Sequence, residues 1–267
     1  MIRVCVAGAT GWVGKPLCEA IAKSDDMTLT GAVSRSAAGK DFADMIPGLG
    51  TVVGAISGSV AEALDNPADV LVDYTKADVV KENVMAAIEK GVHVVIGSSG
   101  LTDADFEEID GAAREHRVGV IAAGNFAITA VLLQRFACEA AKYLSQWELI
   151  DYASDKKPDA PSGTVRELAY RLSEVRKPEP TIPVEDTLGE PATRGATING
   201  IQVHSIRLPG YVIGVEAIFG AKDERLTLRH DAGAGAEPYI AGTMLAIRKV
   251  AEHTGLVRGL DRIMNKN

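Results

Sequence analysis

The sequence predicts an α/β protein: a Rossmann-like, doubly wound parallel sheet domain followed by a second α+β domain with a mixed or antiparallel sheet. Three observations favour this fold class. Apolar strand-like runs alternate with helical runs through the first half of the 267 residues. A glycine-rich turn joins the first strand to the first helix. After residue 125, strand-like runs follow one another without a long helix between them.

In the first half of the chain, strand-like runs and helical runs are clearly separated along the sequence. Strands are predicted at 2–7, 27–33, 69–74, 92–96 and 118–122, and helices at 12–23, 78–90 and 103–116. Each strand is an almost continuous apolar run, which is typical of a parallel sheet covered by helices on both faces. Pro16 is compatible with the first helix because it falls within about the first turn.

The second half has a different pattern. Helices are predicted at 128–145, 163–175 and 238–254, and strands at 147–153, 201–208, 211–219 and 224–230. We therefore expect a dinucleotide-binding domain at 1–125 and a second domain at 126–235. The C-terminal helix, within 236–267, is expected to pack back on the first domain.

Charge and composition exclude several classes of protein. The net charge of −8 argues against general affinity for nucleic acid or an anionic membrane. The uncharged window between Arg117 and Arg135 is interrupted by Gly124 and Asn125, so we expect a buried strand and a helix there rather than a membrane span. Three widely separated cysteines without a CxxC favour reduced thiols in a cytoplasmic protein, and neither a disulfide framework nor a metal site is expected.

The glycine-rich turn has the form G-x-x-G-x-x-G at Gly8, Gly11 and Gly14. Between a strand and a helix, this spacing lets a dinucleotide pyrophosphate approach the helix N-terminus. The second predicted strand ends at Ser34 and Arg35 without the carboxylate that usually binds the ribose of NAD. Because Arg35 can pair with a 2′-phosphate, we expect NADPH, with NADH as the alternative.

Small and polar residues follow three further strands, where open α/β sheets bind their ligands. These loops begin at Tyr74-Thr75, at Gly97-Ser98-Ser99-Gly100 and at Ala123. Small side chains allow a nicotinamide ring to approach the backbone, and Asn125 is a candidate hydrogen-bond partner for its carboxamide.

A basic loop precedes the helix predicted at 163–175. Ser162, Gly163 and Thr164 stand where that helix begins, so their N–H and hydroxyl groups suit a carboxylate. Lys156 and Lys157 add positive charge in an acidic protein. The loop therefore indicates a receptor for a small anionic substrate. A well-capped helix with solvated lysines is the alternative.

The motif Asp159-Ala-Pro-Ser-Gly-Thr164 resembles the signature of the dihydrodipicolinate reductase family. Further family motifs occur in the same order and spacing. They are Val6-Ala-Gly8-Ala-x-Gly11, Val72-Asp73-Tyr74-Thr75, Val95-Ile-Gly97-Ser-Ser-Gly100, Ala123-x-Asn125-Phe126 and Gly200-Ile-Gln-Val-His204-Ser-Ile-Arg207. The resemblance covers nearly the whole chain.

The resemblance implies reduction of a cyclic, unsaturated dicarboxylate by hydride from NAD(P)H, in lysine and diaminopimelate biosynthesis. It also implies a homotetramer built through the sheet of the second domain, which would serve substrate binding and oligomerisation. Lys157 is the implied catalytic residue. The expected substrate contacts are Ser154, Lys157, Ser162, Gly163 and Thr164. The expected cofactor contacts are Gly8, Thr10, Gly11, Trp12, Val13, Gly14, Ser34, Arg35, Tyr74, Thr75, Gly97, Ser98, Ser99, Gly100, Ala123, Asn125 and Phe126.

One departure from the family pattern affects the expected chemistry. Members of the family usually carry two adjacent histidines just before the basic loop, and these positions are Ala153 and Ser154 here. The first family histidine is the proposed proton donor and the second helps to hold the substrate. Candidate substitutes for the donor are Lys157, Tyr152, a water held by Ser154, His204 and His230. The usual Arg-Met pair of the glycine-rich turn is also replaced, by Trp12 and Val13.

Three alternatives follow. A divergent reductase would act on another imine or enamine carboxylate. A non-catalytic sensor would bind NADPH without turnover, although Lys157 and the motif at 159–164 argue against it. A sugar-type oxidoreductase shares the first domain, and the same motif disfavours it.

Overall fold

The protein was analysed as a computed structural model that describes residues 1–45 and 54–264. Two compact units divide the chain: residues 1–128 with 236–267, and residues 129–235.

The first unit is built on a six-stranded parallel sheet. Its strands are β1 (Ile2–Ala7), β2 (Met27–Val33), β3 (Val70–Asp73), β4 (His93–Ile96), β5 (Gly119–Ala122) and β11 (Gly255–Arg258), in the spatial order β11-β5-β4-β3-β1-β2. Its helices are α1 (Gly14–Ala22), α2 (Phe42–Met45), α3 (Val60–Ala63), α4 (Val80–Glu89), α5 (Asp103–Glu115) and α8 (Glu237–Lys249). Short 3₁₀ turns lie at 35–37, 250–252 and 260–262.

The strand order places a topological switch point between β1 and β3, because the chain moves from β1 to β2 on one side and returns to β3 on the other. Ligands of open α/β sheets bind beyond the carboxyl ends of the strands at such a point. The glycine-rich turn and the loops that follow β3, β4 and β5 all leave the sheet at this edge.

The second unit contains a five-stranded mixed sheet. Its strands are β6 (Gln146–Ala153), β7 (Ala196–Ile198), β8 (Ile201–Arg207), β9 (Ile213–Ala221) and β10 (Glu224–Ala232), in the order β10-β9-β6-β8-β7. β6 and β8 are parallel and the other pairs are antiparallel. Its helices are α6 (Ile128–Ala141) and α7 (Gly163–Val175), with 3₁₀ turns at 184–186 and 191–194.

The two helices of the second unit cover one face of its sheet. Leu149, Val203 and Ala217 pack there against Leu133 and Leu168 in a buried cluster. Because successive strand residues point to opposite faces, Asp151, Ala153 and Arg207 lie on this covered face.

The predicted fold class is confirmed, and two strands were missed. β11 follows the last helix, which ends at Lys249 rather than at 254, so the segment at 236–267 is not one helix. Residues 265–267 of that segment lie outside the described residues. β7, of three residues, was also not predicted. Over the described ranges, no helix combines the length and apolar character needed to cross a bilayer.

Candidate active site

Two positions of the turn after β1 can be occupied only by glycine. Gly8 has a φ of +81°, and a Cβ there would lie 2.3 Å from the Tyr74 carbonyl oxygen. A Cβ on Gly14 would lie 2.0 Å from the Gly8 carbonyl oxygen. The Gly11 N–H donates to that same oxygen at 2.8 Å. The turn thus brings the N-terminus of α1 close against the end of β1.

This helix N-terminus fits a pyrophosphate. Val13 stands at the N-cap without a side-chain capping bond, and the first turn carries no acidic residue. Val13 and Gly14 are buried, so only their backbone N–H groups are candidates for contact with a ligand. Trp12 is 58% exposed, with its ring edge-on to Tyr239 at a centroid distance of 5.5 Å. The helix dipole and open N–H groups therefore favour a bound anion.

A group of hydroxyls and one cation lie where β2 ends. The Thr10 and Ser34 hydroxyl oxygens are 2.7 Å apart, and the Ser34 and Ser36 hydroxyl oxygens are 3.4 Å apart. Arg35 is exposed and forms an ion pair with Asp78 at 3.3 Å. Phosphate oxygens accept hydrogen bonds from hydroxyls and from a guanidinium, so this group fits the 2′-phosphate of NADPH.

The loop that follows β3 packs closely against the loop that follows β4. A Cβ on Gly97 would lie 2.2 Å from the Tyr74 ring, so only glycine allows this packing. The Tyr74 hydroxyl is 2.7 Å from the Thr243 hydroxyl, and burial raises the pKa of Tyr74. Ser98 is half-buried and donates to Asp73, whereas the next two residues of the loop, Ser99 and Gly100, are exposed.

The loop after β5 presents a specific donor. The Asn125 side-chain oxygen accepts from the Ala127 N–H at 2.8 Å, which leaves the amide NH₂ of Asn125 to donate. Phe126 is fully buried, with its ring edge-on to Tyr74 at 6.2 Å. Ala123 is half-buried. Asn125 therefore suits a carboxamide oxygen.

In the second unit, the basic loop runs from the end of β6 to the start of α7. The Lys157 ammonium is 2.7 Å from the Asp159 carboxylate, and this contact lowers the pKa of Asp159. Gly163 is exposed at the start of α7, and a Cβ there would meet no atom within 4 Å. Thr164 beside it is half-buried. The first turn of α7 has no acidic residue, so Gly163 and Thr164 suit an anion.

Ser162 has a different task from the one expected. Its N–H donates to the Asp151 carboxylate at 2.8 Å, and its side chain is buried without a hydrogen-bond partner among the described residues. The structure therefore gives Ser162 an internal contact, because the buried carboxylate of Asp151 takes the N–H that was predicted to face a substrate.

A buried ion pair supports the basic loop at two points. The Arg207 guanidinium is 2.7 Å from the Asp151 carboxylate and also donates to the Asp159 carbonyl oxygen at 2.8 Å. Asp151 is 1% exposed. Asp151 thus holds Ser162 at the end of the loop, while Arg207 holds Asp159 in its middle. Sequence reasoning singled out neither Asp151 nor Arg207 as functional.

The proton-donor candidates lie on different faces of the second sheet. Tyr152 donates to Glu216 at 2.9 Å, and the nitrogen Nε2 of His204 is 2.7 Å from Glu148. By strand alternation, Tyr152 and His204 point away from the face covered by α7. Their side chains are therefore not brought together with Lys157.

The other two candidates are Ser154 and His230. His230 lies on the covered face, 3.0 Å from the Thr129 hydroxyl, and burial lowers the pKa of its imidazole. Ser154 donates to Asp155 at 3.1 Å. Ala153 is buried. Of the candidates, Lys157 lies on the basic loop itself and His230 on the covered face of the sheet, and a role of either in proton transfer stays a prediction.

Comparison with known proteins gives matches along nearly the whole chain. Family models described as dihydrodipicolinate reductase, N-terminus and C-terminus, match residues 2–126 and 129–264. The chain is 39% identical over 265 residues to the 4-hydroxy-tetrahydrodipicolinate reductase of Desulfitobacterium hafniense strain DSM 10664 / DCB-2, covering 98% of each. It is 39% identical over 273 residues to the enzyme of that name from Synechococcus elongatus, again covering 98% of each.

Solved structures agree with these matches. A dipicolinate-bound dihydrodipicolinate reductase from Paenisporosarcina sp. TG-14 aligns with a TM-score of 0.85 and 32% identity, covering 98% of this chain and 99% of that one. An amine dehydrogenase from Mycobacterium smegmatis aligns with a TM-score of 0.67 at 15% identity, which shows a shared fold.

Proposed function

This chain belongs to the dihydrodipicolinate reductase family, and from that premise we propose that it reduces 4-hydroxy-tetrahydrodipicolinate with NADPH in lysine and diaminopimelate biosynthesis. The family uses NAD(P)H, and the first unit is the nucleotide-binding one. The observation that carries the choice of substrate class is the start of α7. There Gly163 and Thr164 stand at a helix N-terminus without a side-chain cap, next to the loop that carries Lys157.

Each unit supplies a separate part of the reaction. The bound reduced cofactor supplies a hydride, and the substrate ring gains that hydride and one proton. In the first unit, α1 binds the pyrophosphate and Arg35 binds the 2′-phosphate. In the second unit, Gly163 and Thr164 bind a substrate carboxylate through their N–H groups, and Lys157 stabilises its charge.

Protonation of the substrate is the step in which this chain departs from the family pattern. Ala153 cannot donate a proton, and the Ser154 hydroxyl has no cationic form. We propose Lys157 as the donor, since its ammonium lies on the loop next to the carboxylate receptor. His230 is the alternative, because its imidazole lies on the covered face of the sheet.

Ala153 and Ser154 also favour a second candidate function. A family member without the histidine pair fits a reductase for another imine or enamine carboxylate, one that needs less assistance from a general acid. General acid catalysis contributes about 10²–10⁴-fold to a rate, so turnover of the pathway substrate is still expected, at a reduced rate.

For the assembly and the compartment, we propose a cytoplasmic homotetramer that associates through the sheet of the second unit. The face opposite α7 carries charged groups that include the pairs Glu148–Arg194 and Glu216–Arg229. Complementary charges of this kind can pair between two copies of the same surface. Cys5, Cys18 and Cys138 form no disulfide bond with one another, which suits a reducing compartment. Sedimentation equilibrium measures the subunit number, and a monomer at micromolar concentration contradicts the tetramer.

The decisive experiment follows NADPH oxidation with freshly generated 4-hydroxy-tetrahydrodipicolinate. The wild type is compared with a variant that combines Ala153→His and Ser154→His. We expect measurable wild-type turnover and faster turnover in the double variant. NADPH binding without turnover of this substrate, together with turnover of another cyclic imine carboxylate, supports the divergent reductase. NADPH binding with no turnover of any such acid identifies a sensor.

A further inference from the structure

Asp73 is a completely buried carboxylate at the end of β3. Four hydrogen bonds reach it, all from uncharged groups. The Thr75 N–H, the Thr75 hydroxyl and the Ser98 hydroxyl donate to one oxygen at 3.0, 2.7 and 2.6 Å, and the Asn83 amide donates to the other at 2.8 Å. Burying a carboxylate that has hydrogen bonds but no cation beside it among the described residues is costly, so this arrangement needs a reason.

The donors connect two loops that stand side by side at the switch-point edge. Thr75 lies in the loop after β3, Ser98 lies in the loop after β4, and Asn83 projects from α4. Gly97 strengthens the connection, since its N–H donates to the Asp73 carbonyl oxygen at 2.9 Å. Asp73 therefore fixes the relative position of the two loops.

The direction of these hydrogen bonds has a chemical consequence. An ionised carboxylate only accepts, so the protons of both hydroxyls point to Asp73. Thr75 and Ser98 are half-buried, and the Thr75 hydroxyl oxygen accepts a long hydrogen bond from the Asn83 amide at 3.5 Å. The second lone pair of the Thr75 oxygen and the lone pairs of the Ser98 oxygen are left for an external partner. That partner must be a donor, because an acceptor such as a phosphate oxygen would meet a second acceptor.

The sheet order indicates which part of the cofactor meets these oxygens. The pyrophosphate belongs at α1 after β1, and the adenosine half belongs at Arg35 after β2. β3 and β4 lie on the other side of β1, so the nicotinamide half extends over their ends. The ribose hydroxyls and the carboxamide NH₂ of that half are hydrogen-bond donors.

We propose that Asp73 is a positioning residue that makes the hydroxyl oxygens of Thr75 and Ser98 acceptors for the nicotinamide-ribose half of the cofactor. The inference rests on the proposed function, because it assumes that the first unit binds NADPH in the orientation derived above. Asp73 itself acts through Thr75 and Ser98 and is not in contact with the cofactor.

The test measures binding of two probes by isothermal titration calorimetry on the full chain. NADPH occupies the whole site, and 2′,5′-ADP occupies only the adenosine half. In Asp73→Asn the new amide group opposes either the Asn83 amide or the two hydroxyls. We expect the NADPH dissociation constant to rise about tenfold, which corresponds to about one hydrogen bond, and the 2′,5′-ADP constant to stay within about twofold.

A swap variant separates hydrogen-bond direction from charge. In Asp73→Asn/Asn83→Asp, the carboxamide oxygen at 73 accepts from Thr75 and Ser98, and its NH₂ donates to the carboxylate at 83. We expect NADPH affinity to return to within about threefold of the wild type, since the hydrogen bonds that the two hydroxyls donate to position 73 keep their direction and only the bond between positions 73 and 83 is reversed. A folded swap variant that binds NADPH as weakly as Asp73→Asn overturns the proposal.

Two loop variants keep the test decisive if Asp73→Asn fails to fold. Thr75→Val and Ser98→Ala each remove one acceptor, and each is expected to weaken NADPH about three- to tenfold without weakening 2′,5′-ADP. Unchanged NADPH affinity in both variants, or equal weakening of both probes, overturns the inference. A wild type that binds neither probe contradicts the proposed function instead.

Discussion

Removing the guanidinium of Arg207 should strongly destabilise the second unit. In Arg207→Met, the Asp151 carboxylate loses its ion-pair partner at 2.7 Å and stays in a site where it is 1% exposed. Breaking a buried pair by removing one partner costs about 3–5 kcal/mol. For a chain of this length, that loss lowers the melting temperature by about 6–20 °C.

Differential scanning calorimetry compares this variant with two others. Arg248→Met breaks an ion pair with Asp26 in which both side chains are more than two-fifths exposed, so the melting temperature should change far less. Adding Asp151→Asn to Arg207→Met removes the uncompensated charge while keeping an acceptor for the Ser162 N–H, and part of the stability should return. A loss below about 1 kcal/mol in Arg207→Met would refute the reasoning, since it would mean that water or another group satisfies Asp151.

Three further predictions concern the cofactor, the basic loop and pH. Arg35→Ala should weaken NADPH by about 10–100-fold and NADH little, as expected for losing a charged hydrogen bond; equal losses in a binding titration would remove Arg35 from the 2′-phosphate. Lys157→Ala should lower kcat by about 10²–10⁴-fold with an unchanged NADPH dissociation constant, and unchanged turnover would leave His230 as the candidate donor. Burial lowers the pKa of His93, whose ring nitrogen Nδ1 accepts from the Gly119 N–H at 2.8 Å. The unfolded chain therefore binds the proton first, and stability falls as the pH drops below about 6.5. His93→Asn keeps an acceptor, so its melting temperature should fall less steeply between about pH 7 and 5, and parallel curves would contradict this assignment.

The parts of the site that depend on local geometry could be predicted from the sequence. The spacing of Gly8, Gly11 and Gly14 between a strand and a helix indicates a tight turn, and the structure shows contacts that exclude a Cβ at Gly8 and Gly14. The absence of a carboxylate after the second strand likewise favours Arg35, whose contact with a 2′-phosphate stays a prediction. Such features can be recognised from residues that are close together in the sequence.

The parts that depend on strand register could not be predicted. Asp151 and Arg207 are 56 positions apart, and they meet because β6 and β8 pair in parallel with Ala153 opposite Arg207. Asp73 ends an apolar run in which no alternation tells an inward side chain from an outward one. β11 has four residues and pairs with β5 across more than a hundred positions, so no local pattern marks it.

The pairing of β11 with β5 also has a consequence for the order of folding during synthesis. Residues 119–122 leave the ribosome long before residues 255–258, so the nascent first unit has β5 as an open sheet edge until residues 255–258 have been synthesised. An exposed parallel edge is a template for wrong pairing between chains. A chain truncated after residue 128 should therefore aggregate more readily than the full chain, and adding the segment 236–267 in trans should reduce that aggregation.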